Sequence, residues 1–560
     1  MFKDNVSLMS NPDFMNTLYY GDNLPVMRKF IKDESVDLIY LDPPFNSQAD
    51  YNILFKEVSG EESTAQIQAF SDFWHWDIEA RKAYEYLTIQ APNDVANLTD
   101  ALFNILGKND MLAYLVMMGE RLLELHRVLK PTGSIYLHCD STASHYLKLM
   151  LDSIFQAENF RNEIIWKRTS AHSGEGQVTK FGRIHDSILF YSKSNNYTFN
   201  PQYSDYSKEY EDKFYNNEDA DKRKWTSSDL TGAGIRHGET GKPWKGIDPN
   251  IKGRHWAVPV SRLDEWEKEG RIFFPKKADG MPRYKRYLDE MKGILLQDIW
   301  TDINPVQAHS LERQGFQTQK PVELLERIVK TSSNEGDIIL DPFCGCGTAV
   351  IASEKLHRHW IGIDVTFLAI NLIKNRLSDT FPDVKFRLEG EPSDLGAAQE
   401  LAKDRYQFQW WALMRIGARP VGSTSGNPTV GRKGADEGVD GWLRFADTSE
   451  GHIEKIVVQV KSGHVSVKDI RELRDVISRQ KAAMGIFLTL EEPTGEMTKE
   501  VKATDPYISP IWNTEYPKIQ ILTIEQLLKG EKPKLPPISN MFKEAPKLER
   551  KSERKQQKLP

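Results

Sequence analysis

Short apolar segments alternate with segments of helical apolar spacing over the first 160 residues or so. SVDLIYLD and GSIYLHCD are apolar runs that end in polar or turn residues. Between them, NDMLAYLVMMGERLLELHRVLKP has the spacing of an amphipathic helix as far as Lys130 and Pro131. Strands that alternate with helices form a parallel sheet with helices on both faces. We therefore predict an α/β fold with a doubly wound, mostly parallel sheet.

Composition excludes several classes of protein. No apolar run approaches the length of a membrane span, and MFKDNVSLMSNPDF lacks the layout of a signal peptide. Three cysteines exclude a disulfide framework, and none shows zinc-ligand pairing. We expect a cytoplasmic protein with no membrane partner. The net charge of −6 argues against a protein that coats nucleic acid, although a local basic surface stays compatible with it.

DIILDPFCGCGT predicts a strand, Ile338 to Leu340, that runs into a glycine-containing turn before a helix. Gly345 and Gly347 let the backbone pass close to a bound nucleoside. The next strand, WIGID, ends in Asp364, and an acid at this place in doubly wound sheets accepts hydrogen bonds from ribose hydroxyls. The turn is not GxGxxG and lacks a Walker lysine, which weakens dinucleotide and triphosphate interpretations.

Several segments in this order resemble the DNA amino-methyltransferases of the permuted, beta-type order, in which the catalytic motif precedes the cofactor motif. The similarity covers about residues 15–380. LDPPF resembles the catalytic motif and DPFCGCGT the S-adenosylmethionine motif; TQKPVELLERIV, GDN and NEIIWKR also lie where this family has recurrent motifs. The resemblance implies methyl transfer from S-adenosylmethionine to an exocyclic amino group of double-stranded DNA, in a restriction-modification or host-modification role.

The resemblance also implies a set of cofactor-binding residues. Asp364 would take the ribose, and Asp22 would lie near the adenine or methionine moiety. The residues expected beside the methionine part are Thr318, Lys320 and Pro321, and those of the turn are Asp341, Pro342, Phe343, Gly345, Gly347 and Thr348.

The chemistry that LDPPF can perform is the activation of an amine whose lone pair is delocalised into a base. Asp42 and the main-chain carbonyl of Pro43 can bind both N–H groups and aim the nitrogen lone pair. The adjacent Pro44 stiffens the turn, and Phe45 can stack on the base, which must leave the duplex to reach them. Taken alone, this motif is more typical of an ordinary strand-ending turn.

The target base is adenine or cytosine. An Asp in the first motif position resembles the adenine-modifying enzymes more than the cytosine-N4 enzymes, so adenine N6 is the prediction and cytosine N4 the alternative. This chemistry needs no nucleophilic thiol, so Cys139, Cys344 and Cys346 have no catalytic role and C5-cytosine methylation is disfavoured.

A second chemistry is indicated by VGRKGADEGVDGWLRF followed by IEKIVVQVKSG. Asp440 precedes one strand, while Gln459 and Lys461 share a face of the next, so these groups can hold Mg²⁺ beside a scissile phosphate. The pattern resembles the Mrr-like branch of the PD-(D/E)XK nucleases. Gln409 stands where that fold has a helical Glu, so an active nuclease, an inactive derivative that binds DNA or a partner, and a plain hairpin all stay open.

We predict five parts in the chain. The segment 165–305 is polar, with basic residues among Trp and Tyr, which suits an insert that reads DNA. The alternative is an irregular α+β elaboration. The parts are a catalytic part (1–164), an α+β target-recognition insert (165–305), a cofactor-binding part (306–395), a smaller α/β Mrr-like domain (400–530) and a basic disordered tail (531–560).

Rival functions for the whole chain are a restriction endonuclease whose methylase half serves recognition, a non-enzymatic DNA-binding protein and an RNA methyltransferase. A homodimer and a restriction partner subunit are further partners compatible with the sequence.

Overall fold

The computed structural model describes residues 15–44, 75–169, 181–276, 280–307, 319–421, 438–446 and 453–536. The helices in these ranges are α1 (Asn23–Phe30), α2 (Ile78–Ile89), α3 (Asn93–Leu106), α4 (Asp110–Val128), α5 (Ser144–Phe155), α6 (Lys208–Phe214), α7 (Val260–Lys268), α8 (Val322–Ser332), α9 (Thr348–Lys355), α10 (Phe367–Thr380), α11 (Leu395–Leu401), α12 (Arg405–Arg415), α13 (Val467–Arg479), α14 (Gly495–Lys502) and α15 (Ile524–Leu528).

The strands of the same ranges are β1 (Thr17–Tyr20), β2 (Val36–Leu41), β3 (Leu129–Cys139), β4 (Phe160–Lys167), β5 (His185–Ser192), β6 (Tyr203–Ser204), β7 (Asn217–Glu218), β8 (Lys224–Asp229), β9 (Thr231–Ala233), β10 (Arg254–Trp256), β11 (Ile272–Phe273), β12 (Arg283–Tyr287), β13 (Ile294–Leu295), β14 (Ile299–Trp300), β15 (Ile338–Asp341), β16 (His359–Asp364), β17 (Arg387–Glu389), β18 (Arg419–Pro420), β19 (Gly441–Ala446), β20 (Ile453–Lys461), β21 (Met484–Thr489), β22 (Tyr507–Ile508), β23 (Glu515–Tyr516) and β24 (Ile519–Thr523). The chain divides into a first unit, Met1–Asn200 with Asp298–Pro560, and a second unit, Pro201–Gln297.

The first unit contains a large sheet in the order β14-β4-β5-β3-β2-β15-β16-β1-β17. Its pairs are parallel except where β5 meets β3 and β4. From β2 the next strand along the chain, β3, lies on one side, and from β15 the next strand, β16, lies on the opposite side. The strand order therefore reverses between the neighbours β2 and β15, which is the switch point of the sheet. Ligands of open α/β sheets bind at the carboxyl ends of the strands at such a point. The prediction of a doubly wound, mostly parallel α/β fold is confirmed.

Helices cover both faces of this sheet, which explains why its central strands are almost continuously apolar. Leu122 and Leu125 of α4 belong to one buried cluster, together with residues of β2 and β3. On the other face, Leu324 and Ile328 of α8 pack in a cluster with Leu38 of β2. The helical spacing of LLERIV places these apolar side chains on a single stripe, as the sequence predicts.

The second unit contains short antiparallel strands, including a sheet in the order β11-β12-β8-β7 and the pair β9-β10. Its own core consists of Leu230, Trp244, Trp256, Leu263 and Ile272. This unit therefore has α+β character.

The C-terminal part of the first unit forms a second sheet in the order β18-β19-β20-β21-β24. Its first three strands are antiparallel and the last two are added in parallel. Helix α12 packs on α10, and the buried Gln407 side chain accepts a hydrogen bond of 2.9 Å from the Phe367 backbone N–H.

The five-part division of the chain stays a prediction, and most of the expected tail lies outside the described residues. In the described part of the chain, no helix is long and apolar enough to cross a membrane.

Candidate active site

The two strand ends that carry the predicted catalytic and cofactor motifs are neighbours. Strands β2 and β15 run parallel, with Leu38 opposite Ile339 and Ile39 opposite Leu340. Asp42 therefore follows β2 next to the place where Asp341 ends β15. Both acids lie at the carboxyl edge of the sheet, at its switch point.

Asp42 forms an ion pair with Lys320, and both side chains are largely buried. Pro43 is buried and Pro44 is exposed, whereas Phe45 lies outside the described residues. Lys320 was expected beside the methionine part of the cofactor, and the structure places its ammonium on the predicted catalytic carboxylate. Thr318 also lies outside the described residues, and Pro321 occupies the position directly before the first residue of α8.

The glycine turn after β15 is fixed by hydrogen bonds to its surroundings. Gly345 and Gly347 have φ values of +48° and +77°, which L side chains rarely adopt. The Gly345 N–H donates to Asp364 Oδ2 at 2.9 Å, and the Phe343 N–H donates to Asp341 Oδ1 at 3.1 Å. The turn is thus held between the two acids that end β15 and β16.

The GDN segment reaches the same place from β1. The Gly21 N–H donates to the Asp364 carbonyl at 2.9 Å, and Asp22 caps α1 by accepting from the Leu24 N–H. Asn23 is buried, and its side-chain amide donates to the carbonyl of Pro342 at 2.8 Å. Asn23 therefore joins this segment to the cofactor turn.

Arg121, which no sequence motif includes, lies on α4 and is only 5% exposed. Its guanidinium donates to Asn23 Oδ1 at 2.7 Å and to both oxygens of Asp22 at 2.9 and 3.2 Å. A signal was present, because this arginine interrupts an otherwise apolar stripe between Met118 and Leu125. An arginine at such a position needs acidic or carbonyl partners inside the fold.

The acidic side chains of Asp42, Asp341 and Asp364 lie near the turn, and the pKa values of Asp341 and Asp364 are both raised. Burial raises the pKa of Asp341 well above its ordinary value, and the neighbouring carboxylates of Asp42 and Asp364 raise it further against the bond from the Phe343 N–H. Burial also raises the pKa of Asp364 to about 6, although hydrogen bonds from Thr366 and Gly345 oppose this shift. A cationic ligand beside Asp341 and Asp364 would favour the charged forms of these two carboxylates.

The geometry of the turn also suits S-adenosylmethionine, which carries a nucleoside and two cationic groups. A Cβ added to Gly345 would have Phe343 O at 4.0 Å as its nearest neighbour, so the space above this backbone is open. Thr348 is held by a bond of 3.3 Å from its hydroxyl to the Lys320 carbonyl. An open glycine surface beside acidic groups fits the cofactor, with Asp364 and Asp22 as the groups that would hold it.

A buried chain of hydrogen bonds lies beneath the catalytic strand end. The Tyr40 hydroxyl is 3.1 Å from His138 Nδ1, and His138 Nε2 is 3.1 Å from Asp186 Oδ2. Because the carboxylate can only accept, Nε2 donates to Asp186 and Nδ1 accepts from Tyr40. Burial is the main reason that the pKa of His138 is lowered, which agrees with this neutral form. The chain links β2, β3 and β5 directly before Asp42.

The cysteines are all buried. Burial raises the pKa of the thiols of Cys139, Cys344 and Cys346, so each is held in its non-nucleophilic form.

The predicted nuclease residues meet at one end of the C-terminal sheet. Asp440 precedes β19, and Gln459 and Lys461 lie at the end of β20, its antiparallel neighbour. Lys461 Nζ is 3.8 Å from the carboxylate of Asp469, which belongs to the first turn of α13.

The polar groups of this cluster already have internal partners. The Asp440 carboxylate accepts the Val460 N–H at 2.7 Å. Gln459 is 5% exposed, and its side-chain amide donates to the Gly438 carbonyl. Among the described residues, no three His, Cys, Asp or Glu side chains form a group that could hold a metal ion. Magnesium at Asp440 and Gln459 stays a prediction.

Residues 36–375 match the N6_N4_Mtase family, described as DNA methylase. The chain belongs to this family. Membership confirms the predicted enzyme class, a DNA methyltransferase, and its methyl donor, S-adenosylmethionine. Residues 424–529 match a second family, described as NACHT-associated inactive Restriction Endonuclease 1.

Curated relatives of this DNA methylase cover much of the chain. The type II methyltransferase M.EcaI from Enterobacter cloacae is 30% identical over 364 residues, which cover 65% of this chain and 69% of that protein. The type III StyLTI Mod subunit from Salmonella typhimurium is 28% identical and covers 63% of this chain and 51% of its own length. The DNA adenine methyltransferase YhdJ from Escherichia coli K12 is 24% identical over 400 residues, which cover 69% of this chain and 94% of that protein.

The solved structure of the M1.HpyAVI–SAM complex matches 64% of this chain and 99% of its own, at 15% identity and a TM-score of 0.29.

Proposed function

We propose that this DNA methylase transfers a methyl group to N6 of adenine in double-stranded DNA. The observation that carries the proposal is the adjacency of Asp42 and the glycine turn at the switch point of the sheet. The Asp in the first motif position and the similarity to an adenine methyltransferase support adenine over cytosine N4, which is the alternative target.

In this mechanism, S-adenosylmethionine supplies an electrophilic methyl group when bound. Asp42 accepts one N–H of the extruded base, and the Pro43 carbonyl accepts the other. Both acceptors are fixed before the base arrives, because Pro43 is buried and two consecutive prolines stiffen the turn. Phe45 would stack on the base. The nitrogen lone pair is thereby aimed at the methyl group. The N–C bond would form as the S–C bond breaks, S-adenosylhomocysteine would be left, and the surplus N6 proton would leave through the Asp42 carboxylate that accepts that N–H. The rate derives from positioning.

Lys320 forms an ion pair with the carboxylate of Asp42 and would hold that side chain in place. An ionised Asp can only accept hydrogen bonds, which is the role that the amine requires. Positioning of Asp42 would depend further on the buried chain from Tyr40 to Asp186, which links β2 to the neighbouring strands.

The test is methyl transfer by the purified full-length protein from labelled S-adenosylmethionine to duplex DNA, with nucleoside analysis of the product. We expect N6-methyladenine, and a rate at least about 100-fold lower for Asp42→Asn, which keeps the shape but removes the charged acceptor. Asp383→Asn is the matched control at an exposed position and should keep the wild-type rate. Incorporation of label as N4-methylcytosine would favour the alternative, and an unchanged rate for Asp42→Asn would refute the mechanism.

We propose for the C-terminal part a Mrr-like PD-(D/E)XK fold that does not cleave DNA. This proposal is supported by the similarity to an inactive endonuclease family and by the internal bond of the Gln459 amide to the Gly438 carbonyl. A neutral amide at this position supplies less charge to a metal than a carboxylate would.

The test is incubation of the full-length protein with Mg²⁺ and unmethylated plasmid. We expect the plasmid to stay intact with both the wild type and Lys461→Ala. Cleavage that is lost in Lys461→Ala would instead support the rival function of a restriction endonuclease.

We propose that the enzyme acts in a restriction-modification system, as the names of its type II and type III relatives describe for those proteins. A restriction partner subunit fits this role. A homodimer stays a prediction, and size-exclusion chromatography with light scattering of the full-length protein measures it.

A further inference from the structure

Residues 234–253 form a long connection between β9 and β10 in the second unit, which we call the hairpin loop. The two strands pair with Thr231 opposite Trp256. Trp244 and Trp256 are buried and meet edge to face at 6.0 Å, and Trp256 Nε1 donates to the Lys242 carbonyl at 2.9 Å. The hairpin loop is therefore a packed structure. Packed surface loops are frequently functional.

The backbone on both sides of Arg236 is fixed by a single side chain. Asn250 Oδ1 accepts the Arg236 N–H at 3.2 Å, and Asn250 Nδ2 donates to the carbonyls of Arg236 at 3.2 Å and Gly241 at 2.9 Å. A Cβ on Gly241 would lie 1.6 Å from the Arg236 carbonyl oxygen, so only glycine permits this close approach. The side chain of Arg236 therefore extends from a backbone that these hydrogen bonds hold in place, which we call the Asn250 clamp.

The side chains around this position are exposed. Ile235 is 58% exposed and Ile251 is 83% exposed, and Arg236 and His237 are exposed as well. The Gly234 N–H donates to the Gly253 carbonyl at 2.9 Å. Ile235 and Ile251 therefore lie on two segments that face each other between this bond and the Asn250 clamp. The two isoleucines and the arginine therefore leave this end of the hairpin loop accessible to another molecule.

Arg236 lacks a charged partner among the described residues. In the described part of the chain, the guanidinium of Arg236 and the imidazole of His237 form no ion pair or side-chain hydrogen bond. Lys242 in the same loop, by contrast, pairs with Glu239. An arginine with a fixed backbone and an unused planar donor group suits a planar, bidentate acceptor.

We propose that the hairpin loop reads base sequence in DNA and that Arg236 selects a guanine in the target site. This inference deepens the proposed DNA methylase function and rests on it. Guanidinium binds O6 and N7 of guanine through two hydrogen bonds, and apolar groups such as Ile235 and Ile251 contact base edges and thymine methyl groups. A phosphate contact would need only a flexible cation, without the clamp or the apolar neighbours.

The test is a binding selection from a pool of random duplexes, with full-length protein and sequencing of the bound DNA. The wild type should enrich one sequence that contains a guanine. Arg236→Ala should lower the preference for that one guanine by about 5- to 150-fold, while preferences at the other positions persist. Arg236→Lys keeps the charge but not the planar fork, so it should lose most of the same preference.

Two further variants separate base reading from general effects. Asn250→Ala keeps Arg236 but releases its backbone, and it should weaken the guanine preference at unchanged net charge. Arg262→Ala is the matched control, because this exposed arginine of α7 pairs with Glu265, and it should leave the profile unchanged. Thermal unfolding of each variant shows that the fold is retained.

Some outcomes would overturn the inference. They are a wild type without sequence preference, a profile that Arg236→Ala leaves unchanged, and an equal loss on all sequences with a smaller salt dependence, which is the mark of a phosphate contact. Because binding needs no methyl transfer, a wild type that binds selectively but transfers nothing would refute the proposed function and leave the inference standing.

Discussion

The affinity for S-adenosylmethionine should fall as the pH decreases from 7 to 5, because Asp364 then loses its charge. Its carboxylate accepts the Gly345 N–H and both the N–H and the hydroxyl of Thr366, each at 2.9 Å. Of these three bonds only the Gly345 N–H is on Oδ2, and this is the oxygen that we expect to accept a ribose hydroxyl. Burial raises the pKa of Asp364 to about 6, which places the transition inside this pH window.

The magnitude follows from that pKa. If the ribose binds only the carboxylate form, the apparent Kd at pH 5 is about 10-fold higher than at pH 7, or about 1.4 kcal/mol. A loss of affinity at low pH could also come from unfolding, but protonation of Asp364 does not promote unfolding. Its pKa is higher in the folded state than the ordinary 3.8, so the folded state binds more protons and this group adds stability as the pH falls through 6.

The assay is isothermal titration calorimetry of the full-length protein with S-adenosylmethionine between pH 7 and 5. Asp364→Asn should bind weakly at all pH values, with a flat profile. The amide would also leave one backbone donor of the turn without an acceptor, which lowers stability by about 1–3 kcal/mol, so its unfolding is recorded in parallel. An unchanged Kd in the wild type, or an equal pH dependence in Asp364→Asn, would refute the assignment of Asp364 to the ribose.

Gly347→Ala should destabilise the protein by about 1–3 kcal/mol in thermal unfolding, because φ is +77° and the new Cβ would lie 2.6 Å from Ile373 Cγ1; an unaltered Tm would contradict the strain. His138→Phe should cost about 1–3 kcal/mol in urea unfolding because Asp186 would lose the N–H donor of His138 and keep Arg168 at 3.4 Å, and no change would contradict the need for that bond. Burial lowers the pKa of His126 to about 4 from 6.5, so stability should decline as the pH falls from 6.5 to 4. His126→Gln should reduce that decline by about 1 kcal/mol because the partial exposure of the ring weakens the effect, and an identical decline would contradict it.

The strand ends could be predicted from the sequence because apolar runs and prolines are local signals. SVDLIYLD and DIILD end in acids where the structure ends β2 and β15. That these two strands pair is not a local property, since it depends on which strands the intervening helices bring together. The order of the motifs resembles that of a known family, and this resemblance indicated that the two strand ends belong to one site. Periodicity alone could not indicate this.

The partners of the predicted site residues were harder to predict than the residues themselves. The bond from Asn23 to the Pro342 carbonyl and the pair of Lys320 with Asp42 join segments that are distant in sequence. Arg121 was missed because α4 reads as an amphipathic helix, and one charged residue on its buried face does not name its partner. In the C-terminal part, the spacing of Gln459 and Lys461 predicted a shared face, but the bond that occupies the amide depends on the turn at Gly438.

The two ends of the second unit are attached to elements of the first unit, so the sequence of the second unit can vary while the first unit is kept. Asn200 precedes this unit, and its side chain donates to the carbonyls of Lys330 and Ser333, both at 3.1 Å, at the end of α8. Asp298 follows the unit, and its carbonyl accepts the Ile165 N–H of β4 at 2.8 Å. Both attachment points belong to the fold of the first unit, whereas the hairpin loop is stabilised by its own tryptophans. If the hairpin loop reads DNA as proposed, substitutions in residues 201–297 would alter the DNA sequence that is recognised without moving the strand ends that hold the predicted catalytic residues.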